Sequence, residues 1–336
     1  MASEKVWHPL ERPELGMLNT ISETIRAEEW RDPELLTSLR HGHSLVIATD
    51  YGGEHQSACY RSLSFLVADP QFLWYWSERR HEIRKTILRD SRRLSYKRIT
   101  EACRARALVP FLRATNTIPG LLATFLIDKR IESLFCEDTG DGLLDEPIVD
   151  RTKWNPRSFE KMFRVAHFGA MLVSGLSAPE QNLLWVTDQD EIAPNLEKHR
   201  EATKVFAHVI AYYLKHPMGH FRLATTQSDD GSLSLEDLAA IPDLAAGALA
   251  EVCSVTLLEG GVASANLLSP LSTNVPAKAH AILAWLADGP HPLRRLTFCV
   301  DHVPPNKFKA KLLHTILEDG IREYDWVSEF LARTGA

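Results

Sequence analysis

The chain has 336 residues, 45% of them hydrophobic and 24% charged, which is the composition of an ordinary globular protein with a sizeable core. Its net charge of −6 argues against a protein that coats nucleic acid non-specifically, although a local basic groove is compatible with it. The 5 cysteines are scattered without a CxxC pair, no apolar run reaches the roughly eighteen residues of a membrane span, and the N-terminus lacks the apolar segment of a signal peptide.

The first third of the chain is rich in strand signals. Residues 1–40 predict a polar, partly helical lead-in. The apolar runs 44–50, 60–69 and 72–78 predict three strands, the last two joined by the turn signal at Asp69 and Pro70. Residues 82–113 have a helical and strongly basic pattern. Three strands before the first helix indicate an antiparallel meander.

The rest of the chain alternates strands and helices. We predict strands at 120–135 and 183–188, and helices at 157–176, 196–214 and 235–255, the last with a break near Pro242. The tail predicts a helix at 277–288, a strand at 293–303 and a helix at 308–332. Strands separated by helices favour parallel crossovers. The predicted fold class is therefore α/β, a mixed five-stranded sheet flanked by helices at 41–257, with a C-terminal α/β extension at 258–336.

Four aspartates occupy positions suited to a shared site. Asp50, Asp128 and Asp188 each end or directly follow an apolar strand, and strand ends are where α/β sheets bind ligands. Asp243 lies on a helix whose small residues, including Gly247, allow close packing. Carboxylates crowded together need a counter-charge, and Mg²⁺ or Mn²⁺ is the usual partner of an all-oxygen site. Two such ions support phosphodiester hydrolysis.

These segments resemble the bacterial family catalogued as domain of unknown function 3800, which belongs to the RNase H-like superfamily. The stretches "VIATDYGGE", "LLWVTDQDE" and "AAIPDLAAGA" match its opening strand, a later acidic strand end and its closing helix, and "FLIDK" matches its middle strand. The sequence departs from the family at Tyr51-Gly52, where Glu-Ser is frequent, and at Ala240, where glutamine is frequent; Glu54 is a substitute for the missing glutamate if the Gly52-Gly53 turn curls it back.

The resemblance implies an RNase H-like, metal-dependent nuclease. It assigns metal binding to Asp50, Asp188 and Asp243, with Asp128, Glu54, Asp190 and Glu191 as auxiliary acids. Each acid also has a structural interpretation, because aspartates at strand ends are common turn formers and caps. Asp128 has neighbouring cations for a surface ion pair, and Asp190 and Glu191 suit the first turn of the following helix.

A basic segment at 79–98 is the candidate nucleic-acid contact. Lys85, Arg89, Arg93 and Lys97 recur every fourth residue, which would align them along one ridge of a helix. Such a ridge suits a phosphate backbone, and Lys129 beside Asp128 would add to it. The alternative is an ordinary solvated helix face.

Two functions remain open from the sequence. The first is a Mg²⁺- or Mn²⁺-dependent nuclease acting on DNA or RNA. The second is a catalytically lapsed binding or regulatory subunit of the same fold, in a bacterial defence or mobile-element system, with a partner protein or through self-association. We expect a cytoplasmic protein with reduced thiols and no membrane contact. Hydrolysis requires the three aspartates to meet and to be free of an arginine or a backbone amide.

Overall fold

A computed structural model describes residues 5–90, 92–134, 149–258, 267–268, 275–305 and 307–315. It is an α/β protein with one mixed sheet flanked by helices. The strands are β1 (Ser44–Gly52), β2 (Tyr60–Ala68), β3 (Gly120–Asp128), β4 (Asn182–Thr187), β5 (Phe221–Thr225), β6 (Leu267–Leu268), β7 (Leu293–Val303) and β8 (Lys307–Thr315). The helices are α1 (Met17–Arg31), α2 (Trp74–Thr86), α3 (Ala102–Thr115), α4 (Pro156–Leu176), α5 (Leu196–Tyr213), α6 (Ser234–Leu258) and α7 (Ala277–Ala287).

The strand order is β5-β4-β1-β2-β3-β7-β8-β6. Strands β1, β2 and β3 are antiparallel neighbours. Strands β4 and β5 continue the other side of β1 in parallel, each reached through a helix. On the far side, β7 pairs with β3 in parallel and β8 returns antiparallel to it. The predicted mixed sheet flanked by helices is confirmed, but the third antiparallel strand is β3, which follows α2 and α3, and not a strand before the first helix. The tail beyond residue 258 contributes strands to the same sheet.

Both faces of the sheet are buried, because strands β1 to β3 are apolar almost throughout. On one face, Ile47, Phe65 and Trp185 belong to a core shared with α1, α4 and α5. On the other face, Ala48 and Leu66 belong to a core shared with α2, α3, α6 and α7. Asp50 follows the parity of Ala48 and faces α6, whereas Tyr51 faces α4. The two faces therefore carry separate sets of polar residues at the same sheet edge.

The five-strand prediction undercounts the sheet, which has seven strands and the two-residue β6 among the described residues. The strand predicted at 72–78 is wrong: Asp69 accepts a hydrogen bond from the Gln71 amide and starts a 3-10 turn that leads into α2. Strand β5 was not predicted, and the helix predicted from residue 308 is instead β8 as far as Thr315. Residues 316–332 of that prediction lie outside the described residues.

Two further predictions need correction. Helix α6 runs through Pro242 without a break. The basic helix predicted over 82–113 ends at Thr86, and α3 begins at Ala102. The segment between them is anchored by two arginines from the flanking helices, because Arg84 donates to the Arg92 carbonyl at 2.6 Å and Arg104 donates to the Arg93 carbonyl at 3.2 Å.

Helix α6 is the one described helix long and apolar enough to span a membrane by length and composition. Within its apolar window, 78% of the helix is buried inside the protein. Core helices of folded proteins pass the same test, and α6 packs on β1 and β2. Cys59, Cys103, Cys253 and Cys299 are free thiols, and Cys136 lies outside the described residues.

Candidate functional site

The sheet brings Asp50 and Asp188 together at one edge. Strands β1 and β4 are parallel neighbours in which Thr49 pairs with Thr187. Asp50 and Asp188 are the next residues on each strand, so their carboxylates emerge side by side. This part of the predicted convergence is confirmed by the register.

Asp243 reaches the same edge from α6. The helix can approach β1 closely because Gly52 has no side chain. A Cβ atom at this position would lie only 2.8 Å from the Ala246 carbonyl oxygen. Asp243 is partly buried, and its charge acts on Asp50. We call Asp50, Asp188 and Asp243 the carboxylate cluster.

The centre of the carboxylate cluster holds a guanidinium group. Arg93 donates from Nη2 to Asp50 Oδ2 at 2.6 Å and from Nη1 to Asp188 Oδ2. Its Nε lies 3.6 Å from Glu236 Oε2, too far for a hydrogen bond. Arg93 therefore neutralises the cluster from inside, and it does not lie on the outer ridge of a helix as the sequence predicted.

Amides and a hydroxyl engage the remaining carboxylate oxygens. The Tyr51 amide donates to Asp50 at 2.6 Å, and the Tyr96 amide donates to Asp243 at 2.6 Å. Asp188 accepts from the Gln189 amide at 2.9 Å and from the Thr226 hydroxyl at 3.0 Å. Each aspartate is thus engaged by an arginine, a backbone amide or both, and the second condition for hydrolysis is not met in this arrangement.

One guanidinium does not balance the charge of the carboxylate cluster. Burial and the nearby Asp243 carboxylate raise the pKa of Asp50 well above its ordinary value. Burial also raises the pKa of Asp243. Although burial opposes it, Arg93 holds the pKa of Asp188 below its ordinary value. Three carboxylates facing one cation leave negative charge to be balanced by protons or by another cation.

The carboxylate cluster has the type of donor atom that a divalent metal prefers, but not the arrangement. Three carboxylates from β1, the β4 end and α6 are the oxygen ligands that Mg²⁺ and Mn²⁺ prefer. Within the described part of the chain, however, no group of three or more His, Cys, Asp or Glu residues is arranged to hold a metal ion. The Arg93 guanidinium bridges Asp50 and Asp188 in this arrangement.

The auxiliary acids form a different cluster on the α4 face. Lys161 of α4 contacts Glu54 at 2.8 Å, Asp190 at 2.9 Å and Glu191 at 3.1 Å. The expectation that Glu54 curls back to the carboxylate cluster is wrong, because the turn after Gly52 directs it to the opposite face. Asp190 and Glu191 likewise pair with Lys161 and do not join Asp188.

Asp128 stands apart from the carboxylate cluster. On β2, Asp50 pairs with Ser64 and Asp128 pairs with Tyr60, a separation of four residues or about 13 Å. The Asp128 carboxylate accepts from Arg130 at 2.6 Å. The ion pair with a neighbouring cation, which the structural interpretation expects, is therefore present. Lys129 donates to the His55 carbonyl at 2.5 Å.

The predicted basic ridge does not exist as a helix face. Lys85 lies in the last turn of α2, and Lys97 lies in a 3-10 turn after the irregular segment. Arg89 is exposed between them and Arg93 points inward. The spacing of four residues does not place these side chains on one helix face, because α2 ends at Thr86, before Arg89.

The sequence did not indicate the site residues Thr226, Tyr96 and Glu236. Glu236 had a usable signal, since it precedes Asp243 by seven residues and therefore lies on the same helix face two turns away. Tyr96 and Thr226 act from three-residue 3-10 turns, which are too short for spacing to predict a position.

No protein-family model matches the chain, and a search of curated proteins finds no significant match.

Proposed function

We propose that this chain is an RNase H-like protein, related to the family catalogued as domain of unknown function 3800, that binds nucleic acid without cutting it. Support for the fold comes from three antiparallel strands followed by two parallel strands that are reached through helices. A carboxylate stands on the first strand, after the fourth strand and on the helix after the fifth. This is the order of acids that the sequence resemblance implies.

The observation that carries the proposal is the position of Arg93. Its guanidinium bonds to Asp50 and Asp188, where a metal shared by these carboxylates would have to lie. Arg93 thus makes the contacts with these carboxylates that a catalytic metal would otherwise make. An arginine cannot generate the hydroxide or stabilise both oxygens as a metal pair does.

Exposed cations beside the carboxylate cluster support nucleic-acid binding. Arg89, Arg92, Lys97 and Arg98 are exposed on the segment that carries Arg93, and Lys85 is exposed in the last turn of α2. Exposed acids nearby are fewer, chiefly Glu82, Asp90 and Glu101. Exposed lysines and arginines that contact phosphates give binding that weakens steeply with salt.

A metal-dependent nuclease is the second candidate, and the charge imbalance of the carboxylate cluster favours it. Asp50, Asp188 and Asp243 would hold Mg²⁺ or Mn²⁺ once Arg93 had moved out. The ion would supply an activated water and stabilise the leaving oxygen. The residues themselves would orient the ion through the amides of Tyr51 and Gln189, which already fix the two carboxylates.

Fluorescence anisotropy with labelled single- and double-stranded DNA and RNA tests the proposal. We expect salt-sensitive binding that weakens roughly uniformly across sequences in Lys97→Gln/Arg98→Gln, and no cleavage in Mg²⁺ or Mn²⁺. Arg200→Gln, an exposed arginine on α5, is the matched control. Cleavage lost in Asp50→Ala would establish the nuclease instead. Failure to bind any of these nucleic acids would contradict both.

A further inference from the structure

A cavity of about 360 Å³ lies on the α4 face of the sheet, opposite the carboxylate cluster. Leu63, Ile127, Pro156 and the ring of Tyr51 contribute apolar surface to its wall. Its volume lies within the range of small-molecule sites, which combine apolar walls with a few polar groups. The cavity belongs to neither the nucleic-acid surface nor the carboxylate cluster.

Three arginines line this cavity. Arg61 comes from β2, and Arg157 and Arg164 come from α4. Arg164 is only 2% exposed. It donates to Glu160 at 2.7 Å and to the carbonyls of Ile131 and Glu132 at 2.8 Å. Its Nη1 is buried and has no hydrogen-bond partner in the part of the chain that the structure describes. We call Arg61, Arg157 and Arg164 the arginine wall.

The arginine wall has more positive charge than its neighbours balance. Among the described residues, neither Arg61 nor Arg157 forms an ion pair, whereas Arg164 is paired with Glu160. Burial, followed by repulsion from Arg164 and Arg157, lowers the pKa of Arg61 below its ordinary value. The pKa of Lys129 is likewise lowered, by burial and by repulsion from Arg61 and Arg157. Cations that repel one another at a cavity are stabilised by an anion placed among them.

Two of the three acids that line the cavity already have cationic partners. Glu160 is held by Arg164 and also accepts the Leu134 amide at 2.9 Å. Glu54 is held by Lys161. Glu132 is exposed at the rim. Glu160 and Glu54 still attract Arg61, and Arg157 attracts Glu191. Among the residues that line the cavity, the four cations Arg61, Arg157, Lys161 and Arg164 outnumber the three acids Glu54, Glu132 and Glu160.

We propose that this cavity binds a phosphorylated small molecule of mononucleotide size, with its phosphate on the arginine wall. Guanidinium groups match phosphate because their planar N–H forks donate two parallel hydrogen bonds. The body of the ligand would lie against Leu63, Ile127 and Pro156. The donors are Nη1 of Arg164, which has no hydrogen-bond partner among the described residues, and Arg61 and Arg157, which form no ion pair with them.

Isothermal titration at constant ionic strength tests this with inorganic phosphate, AMP and adenosine. We expect AMP to bind, inorganic phosphate to bind at least tenfold more weakly because it lacks the body, and adenosine not to bind. Arg157→Gln should weaken AMP roughly tenfold. Arg157 is exposed, so this variant should fold even if Arg61→Gln does not. Arg106→Gln, an exposed arginine of α3 on the other face, is the control and should bind as wild type does.

Several results would overturn the proposal. Adenosine binding as tightly as AMP would remove the role of the phosphate. Equal affinity for AMP and inorganic phosphate would remove the role of the apolar wall. Absence of AMP binding at millimolar concentration, or binding unchanged in Arg157→Gln, would show that the arginine wall is not a phosphate site.

Discussion

Arg93 donates from Nη2 to the Oδ2 atom of Asp50 at 2.6 Å, across 43 residues of sequence. This contact joins the irregular segment between α2 and α3 to the end of the central strand β1. The Arg93 side chain is 21% exposed and that of Asp50 is 10% exposed, so the pair is screened weakly by solvent. Stability and metal binding at this edge should both depend on it.

Loss of Arg93 should destabilise the protein. In Arg93→Gln the three carboxylates face one another without their cation, and breaking a partly buried pair costs about 3 kcal/mol. The loss in the free energy of unfolding should be smaller at pH 5 than at pH 8, because protonated acids repel less. Urea denaturation at both pH values measures this. The neighbouring Arg92 has an exposed side chain, so Arg92→Gln should lower the free energy of unfolding by less than about 0.5 kcal/mol. Equal stability of the two variants would contradict the account.

Asp50→Asn should flatten the pH dependence of stability above pH 5. The folded-state pKa of Asp50 is raised by burial and by Asp243, while an unfolded aspartate has a pKa of about 3.9. Between these values the folded state holds a proton that the unfolded state has lost. Stability contributed by that proton is present at low pH and is lost as pH rises through the folded pKa. Melting temperatures from pH 5 to 8 should fall less in Asp50→Asn than in wild type and in the control Asp32→Asn, an exposed aspartate at the end of α1. A parallel decline in all three would show that Asp50 titrates normally.

Asp237→Asn should be among the most damaging single changes. Asp237 is fully buried on α6 and pairs with Arg80 at 3.0 Å and with Arg84, both on α2. Removal of its charge leaves two buried guanidinium groups without a carboxylate, at a cost of about 3–5 kcal/mol. Chemical denaturation against Glu78→Gln, an exposed acid on α2, measures the difference. A loss below about 1 kcal/mol would mean that this ion cluster is not what fixes α2 on α6.

Gly247→Ala should disturb the carboxylate cluster by displacing Tyr96. A Cβ at Gly247 would lie 2.4 Å from the ring of Tyr96. Tyr96 would have to move, and the hydrogen bond that its backbone amide donates to Asp243 would be lost. We expect a net loss of about 1–3 kcal/mol although alanine favours helix by about 1 kcal/mol. A thermal melt that rises in this variant would contradict the close packing of α6 on Tyr96.

Long apolar or periodic segments were predictable. Strands β1 and β4 and helices α4 and α5 all follow such runs. Strand β8 was mispredicted as helix although Lys307, Lys309 and Lys311 alternate with apolar residues, which is the period of a strand. Strand β5 is five residues long and only partly buried, so its signal is weak.

The convergence of Asp50 and Asp188 was predictable because parallel strands end at the same edge. The inward position of Arg93 was not. Helix α2 ends at Thr86 without a glycine or proline, since Leu88 and Leu94 turn into the core and Arg84 and Arg104 bind the backbone of the following segment. Tertiary contacts of this kind override local helix propensity, and they are not visible in residue spacing.

The most direct test of the account is a Mn²⁺ titration of wild type and Arg93→Gln, read as the shift in melting temperature. If Arg93 takes the place of the metal, wild type should show no shift, and Arg93→Gln should gain several degrees because the ion replaces the lost charge. Arg93→Gln/Asp50→Ala should lose that gain. Stabilisation of wild type by Mn²⁺, together with no added effect in Arg93→Gln, would contradict the claim that Arg93 occupies the metal position.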